Sequence, residues 1–155
     1  MGLDQLLTPD RVLTTIKATC KRGVLAELAS VAASTLDVDR AAVCEALMER
    51  EQLGSTGVGE GVAIPHGKVA GLRAVEAVFA RLREPVDFDA VDDKPVDLVF
   101  LLLAPKDASA AHLKALAKVS RLLRDASVRD ALRGAASDEA LYAALVTDLA
   151  RSHAA

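Results

Sequence analysis

Apolar and polar positions along this chain change rhythm several times, and each change marks an element. Over residues 23–35, Val24, Leu25, Leu28, Val31 and Ala32 fall on one helical stripe that Leu36 continues, which predicts a helix. Residues 40–52 repeat the rhythm with Val43, Ala46 and Leu47 inward, and Asp37 or Asp39 as the cap. Ahead of them, residues 10–20 mix Val12, Leu13 and Ile16 with Thr14, Thr15 and Thr19, the content of a short first strand preceded by a loop. Glycines at 54, 57, 59 and 61 predict a flexible loop, followed by a short strand over 62–65 that Pro65 ends. Residues 75–82 and 96–104 read as strands. The second contains Leu98 to Leu103 without a polar interruption, as a central strand buried on both faces would. An acidic, turn-rich connection spans 87–95. Three helices follow, over 110–124, 127–133 and 138–149, with Ser127 and Asp130 spaced as a capping box and 151–155 as a frayed tail. Strands interleaved with helices predict an α/β fold with a single mixed β-sheet, in one domain over residues 1–155.

Composition narrows the partners. Lys plus Arg number 19 against 22 Asp plus Glu, a net charge of −3, so the basic footprint of a nucleic-acid or anionic-membrane binder is missing. Three Phe, one Tyr and no Trp leave too few rings for base-stacking platforms. The longest apolar run, Leu98 to Pro105, is far below the roughly 20 residues of a membrane span. Met1 to Gln5 shows no signal-peptide pattern, and Leu6 stands where a myristoylation motif needs Ser or Thr. Cys20 and Cys44, without a C-x-x-C pair, read as buried, reduced thiols of a cytoplasmic protein.

The densest chemistry lies between Gly54 and Lys68. It is not a Walker A loop: Gly67-Lys68 is followed by Val69, and Gly61 stands one residue too early. It is not a dinucleotide fingerprint either, because Gly57 and Gly59 require a third glycine where Val62 stands. What remains is Pro65-His66-Gly67, one imidazole held between a residue of fixed φ and one without a side chain. A neutral imidazole nitrogen can attack phosphorus and carry the phosphoryl group; a loop histidine that only forms hydrogen bonds fits the same letters. His112 falls in the first turn of the helix after Pro105, with Leu116, Val119 and Leu123 inward. It sits where anionic oxygen is favoured, or simply begins a helix. His153 lies in the tail and suggests no role. The separations between 66, 112 and 153 offer no metal-ligand pair, Ser55 lies outside any G-x-S-x-G elbow, and 87–97 lacks the terminal glutamate of a calcium loop.

Beyond these letters, the stretch from Arg50-Glu51 through Gly54-Ser-Thr-Gly-Val-Gly-Glu-Gly-Val-Ala-Ile-Pro-His-Gly-Lys68 resembles the active-site signature of the enzyme IIA domains of the bacterial phosphotransferase system, fructose/mannitol class. The resemblance continues in order through Pro85 to Asp97, Leu101 to Pro105, His112-Leu113 and Ser137 to Tyr142, so it covers the chain after residue 10. It implies helices on both faces of the mixed sheet, His66 as the phosphoryl acceptor, and His112 and Arg50 beside it. The N–H groups of Gly57, Gly59 and Gly67, with the Ser55 and Thr56 hydroxyls, become candidate phosphate-binding donors. It implies no metal and no cofactor. The implied phosphoryl source is an HPr-type phosphocarrier protein, and the receivers are a IIB domain or regulatory targets, without nucleic acid or membrane insertion. Both fructose and nitrogen-regulatory members carry this wording. A chain without an HPr-like segment, a IIB cysteine loop or a membrane span is more similar to the nitrogen-regulatory branch, the alternatives being a component of fructose or mannitol uptake and a non-catalytic interaction module. Val58 and Glu60 depart from the Ile and Asn more usual there.

Overall fold

The computed structural model describes residues 5–154, with side chains through residue 147; the readings of Met1 to Asp4 and of Ala155 lie outside the described residues. From the N-terminal side, a 3-10 turn (Pro9–Arg11) leads into strand β1 (Val12–Leu13), then helices α1 (Lys21–Thr35) and α2 (Arg40–Gln52). Strands β2 (Gly57–Gly59), β3 (Val62–Ala63), β4 (His66–Lys68), β5 (Glu76–Val86) and β6 (Val96–Ala104) follow, then helices α3 (Ser109–Leu123), α4 (Ala126–Gly134) and α5 (Asp138–Ala154). Helical backbone in α5 therefore enters the segment expected to fray.

Strand β6 is the centre of one mixed six-stranded sheet, in the order β1-β5-β6-β3-β2, with β4 also paired to β6. It runs antiparallel to β5 and parallel to β3 and β4. Its side chains alternate between two cores because successive Cβ atoms point to opposite faces. Leu98, Phe100, Leu102 and Ala104 pack with Ala115, Val119, Leu122, Leu132 and Leu141 of α3, α4 and α5. Val99, Leu101 and Leu103 pack with Val24, Leu25, Leu28, Val43 and Leu47 of α1 and α2. Helices thus cover both faces, and this is why Leu98 to Leu103 needs no polar alternation.

Several local expectations are corrected. The strand read over 10–20 shrinks to Val12–Leu13, because Arg11 closes a 3-10 turn onto Thr8 and its buried guanidinium is spent on the carbonyls of Leu6 and Ala77. The flexible loop over 54–61 instead carries β2, paired antiparallel to β3; the glycines serve its tight turn, where Gly59, Glu60 and Gly61 have φ of 105°, 58° and 78°. Helix α4 is capped by Asp125, whose carboxylate accepts the Ser127 N–H, not by a Ser127–Asp130 box. Asp39 caps α2. Cys20 is exposed rather than buried, since its Sγ caps α1 by accepting the Gly23 N–H; Cys44 is half-buried, and both thiols are free.

Candidate functional site

Strands β3 and β4 pair with β6 at one constant offset, Val62 with Leu98 and His66 with Leu102, so they form a single strand interrupted at Ile64-Pro65. Pro65 has no N–H to give a neighbouring strand. Its carbonyl still accepts the Leu102 N–H, and the Ile64 N–H turns to Thr56. The Ile64 carbonyl is then free for a side chain, and the His66 ring folds back onto it, Nδ1 to O at 3.0 Å. His66 was expected at the end of a strand; it begins one after the break. Alternation puts Val62, Ile64 and His66 on the face covered by α3, and Gly67 on the other. There a Cβ on Gly67 would stand 3.1 Å from the Ala46 Cβ, so glycine lets α2 close onto β4.

Two elements bring partners to His66. From the last turn of α2, Arg50 donates through Nε to His66 Nε2 at 3.1 Å and through Nη1 to the Gly54 carbonyl at 2.8 Å. With Nδ1–H directed at Ile64, Nε2 carries the lone pair, and it faces the guanidinium. From the first turn of α3, His112 lies on the core-facing stripe with Ala115, Val119 and Leu122. Its ring meets that of His66 edge-on, centroids 5.5 Å apart and planes at 72°. His112 is 6% exposed, and its Nε2 has no hydrogen-bond partner among the described residues. An unsatisfied buried polar group costs about 1–3 kcal/mol, so this nitrogen is held at a cost to stability.

The three residues implied by the motifs thus come together from three separate elements. Beside them lies a cavity of about 300 Å³ lined by Arg50, Ser55, Thr56, Val58, Ile64, His66, Leu116, Ala117 and Ser120. Ser55 and Thr56 border it with their hydroxyls already donated, to the Phe88 carbonyl and the Glu51 carboxylate. The Gly57 N–H is taken by Ser55 Oγ, and Gly59 lines a second cavity with Ser120, Arg124 and Arg129. Gly57 and Gly67 line neither cavity. Among the described residues, no group of three or more His, Cys, Asp or Glu side chains is placed to hold a metal.

Sequence reasoning missed two contributions. Ser120 follows His112 at i+8, a spacing that already places it on the same face as Leu116. Glu51 continues the buried stripe of Val43 and Leu47, so a carboxylate at that position was a readable anomaly.

Both imidazoles are biased toward the neutral form. For His66, burial lowers the pKa and the Arg50 charge adds to this, against the pull of the Ile64 carbonyl and Glu51. For His112, burial acts first, then the neighbouring His66 and Lys68. The unfolded chain therefore binds more protons than the folded one as pH drops below about 6.5, and stability rises with pH through that window. The contribution is complete above the ordinary histidine value and is lost as pH falls through the lowered folded values. Nitrogen-15 NMR titration is expected to place both midpoints below 6.5; a His66 midpoint above it contradicts the assigned cause.

Residues 5–147 match the family model described as "Phosphoenolpyruvate-dependent sugar phosphotransferase system, EIIA 2". The chain is similar to the nitrogen regulatory protein of Bradyrhizobium diazoefficiens, with 48% identity over 145 residues, covering 94% of this chain and 95% of that protein. The nitrogen regulatory protein of Pseudomonas aeruginosa is 43% identical, with 93% and 94% covered. Among solved structures, nitrogen regulatory protein IIA-Ntr from Neisseria meningitidis superposes with a TM-score of 0.86 at 38% identity, over 92% of this chain and 98% of that one. Among the described residues, no helix is long and apolar enough to cross a membrane.

Proposed function

The chain belongs to the EIIA 2 family of the phosphoenolpyruvate-dependent sugar phosphotransferase system, and from that premise we propose that it is a histidine phosphoryl carrier of the nitrogen-related branch, loaded at His66 Nε2 by an HPr-type phosphocarrier protein and signalling to regulatory targets by its phosphorylation state. The observation that carries this reading is the Arg50–His66–Ile64 chain of hydrogen bonds. It holds one ring nitrogen as N–H and leaves the other as a lone pair beside a permanent cation.

The reaction moves one PO₃ unit. The P–N bond of the donor's phosphohistidine breaks as a P–N bond to His66 Nε2 forms, and the donor ring keeps the electron pair. Such transfers pass through a loose, in-line transition state with charge on three oxygens, so positioning and fixed cations supply most of the acceleration. The guanidinium that occupies the Nε2 lone pair must slide aside. It then meets the incoming oxygens with the same N–H groups, exchanging a neutral acceptor for charged ones. His112 Nε2 is the natural further donor: as N–H it gains a partner when the phosphoryl group arrives. The Nδ1–H bond to Ile64 steadies the ring as it takes on positive character.

A protein donor also fits the surroundings. Of the four exposed large apolar side chains among the described residues, Leu53, Val58 and Leu113 belong to the segments that carry the site. The nitrogen-branch assignment is supported by the names of the two relatives, 48% and 43% identical, that cover 94% and 93% of this chain. Incubation with the phosphorylated carrier of the nitrogen branch, and separately with HPr, tests the reading. Rapid acid-labile labelling from the nitrogen-branch carrier is expected; labelling from HPr alone overturns the branch, and none from either overturns the carrier role.

A further inference from the structure

Neighbouring positions on a helix point about 100° apart, so Arg50 and Glu51 leave the end of α2 in different directions. Arg50 goes to His66. Glu51 turns inward along the stripe of Val43 and Leu47 and is 9% exposed. Its carboxylate accepts the Thr56 N–H at 3.2 and 3.3 Å, the Thr56 hydroxyl, and the Lys21 ammonium at 3.1 Å. Lys21 opens α1, reaches Asp89 at 3.3 Å and lies 5.7 Å from the centre of the Phe88 ring. Burial works against its charge, yet the Glu51 and Asp89 carboxylates outweigh that and raise its pKa.

A buried ion pair is a poor source of net stability, because withdrawing both charges from water offsets their attraction; apolar side chains of similar volume often serve a core as well. The use of this one lies in what it clasps. Between Glu51 and Thr56 the chain makes a turn, closed by Leu53 N–H on the Arg50 carbonyl and Gly54 N–H on the Glu51 carbonyl. Gly54, at φ 146°, has nothing within 4 Å of where a Cβ would stand. Its carbonyl is nevertheless the anchor for Arg50 Nη1.

We propose that Glu51 is a positioning residue for phosphoryl transfer: by clasping Thr56 and Lys21 it fixes the 53–56 turn, and the Gly54 carbonyl of that turn aims the Arg50 guanidinium at His66. The proposal rests on the carrier reading of His66. Position and charge act together, since the Glu51 carboxylate also opposes the effect of Arg50 on the His66 ring. The other titratable or charged groups on that ring's surroundings are Arg50 from α2 and His112 from α3, with Lys68 of β4 acting on His112.

The test compares wild type with Glu51→Gln, which keeps the shape and removes the charge, and with Thr56→Val, which keeps the ion pair and breaks the hydroxyl clasp. Circular dichroism establishes folding. His66 is titrated by nitrogen-15 NMR, and transfer from a phosphorylated carrier is resolved into kcat and KM. In Thr56→Val, which keeps the Glu51 charge, the His66 midpoint is expected to move up, because a misaimed Arg50 no longer holds it down. In both variants kcat should fall about 10- to 100-fold, the usual consequence of a misplaced catalytic group, with donor KM within about twofold. Wild-type kcat in either folded variant overturns the proposal, and so does an unmoved His66 midpoint in folded Thr56→Val. If only Thr56→Val folds, its kcat decides. Failure of the carrier reading looks different: wild type itself takes no label, and the titration, which needs no phosphate donor, still decides whether the clasp aims Arg50 at His66.

Discussion

His66→Ala is expected to abolish acid-labile phosphate uptake, not merely slow it. A carrier that forms a covalent intermediate has no residual route once the nucleophile is gone. Nor is a substitute placed to take over. His112, the other histidine at the site, is 6% exposed and offers an incoming protein donor far less surface than the half-buried ring of His66. The substitution should leave the fold intact. His66 is half-buried and makes two side-chain hydrogen bonds, to Ile64 and Arg50, so about 1–2 kcal/mol of stability is at stake. The measurement is radiolabelled phosphate transfer with site mapping, on wild type and variant at equal folded concentration. Labelling of the variant at the wild-type level, or a phosphate mapped to another residue in wild type, moves the chemistry away from His66. A full loss with a preserved circular dichroism spectrum supports it.

Phe100→Ala is expected to lower stability by about 3–5 kcal/mol, a large part of the roughly 5–15 kcal/mol of a typical domain. Phe100 is completely buried in the middle of β6. Its ring packs 5.7 Å from that of Phe79 on the neighbouring strand, tilted at 58°, beneath Val119 and Leu123 of α3. Loss of the ring removes transfer free energy and leaves a void. Strand pairing on both sides of β6 keeps the backbone from closing that void, which places the cost near the upper end of the range. Urea unfolding should show a lower midpoint with the same slope. A change below about 1 kcal/mol would mean that the core repacks freely around position 100. The consequence reaches the site, because α3 carries His112 and rests on this part of the sheet.

The central strand shows how much the letters carried. Leu98 to Leu103 is apolar without interruption, and such a run is stable only where helices cover both faces of a sheet; that is what β6 became. The bounds of α2 were equally legible, since Asp39 and the Val43–Leu47 stripe are local signals. The errors fell where local signals compete with distant ones. Thr-rich residues after Leu13 have strand propensity, but β5 pairs with only two residues of that segment. Glycines 57 to 61 suggest mobility, but a partner 32 residues away, Asp92 on the Glu60 N–H, fixes their turn. Ser127 looked like part of a cap because Asp125, two residues earlier, was overlooked as the cap itself.

By itself the sequence determined the alternation of elements, the placing of one imidazole between Pro65 and Gly67, and the chemistry that imidazole can perform. Each of these rests on interactions within a few residues, and so is written in local spacing. Only the tertiary structure decided which nitrogen of His66 faces Ile64 and which faces Arg50 of α2, that His112 arrives from α3 with an Nε2 lacking a partner among the described residues, and that Glu51 meets Thr56 and Lys21. The contacts of His66 with Arg50 and with His112 join residues 16 and 46 positions apart, and the ion pair of Glu51 with Lys21 joins residues 30 apart. Distance along the chain says nothing about them until the sheet brings the segments together.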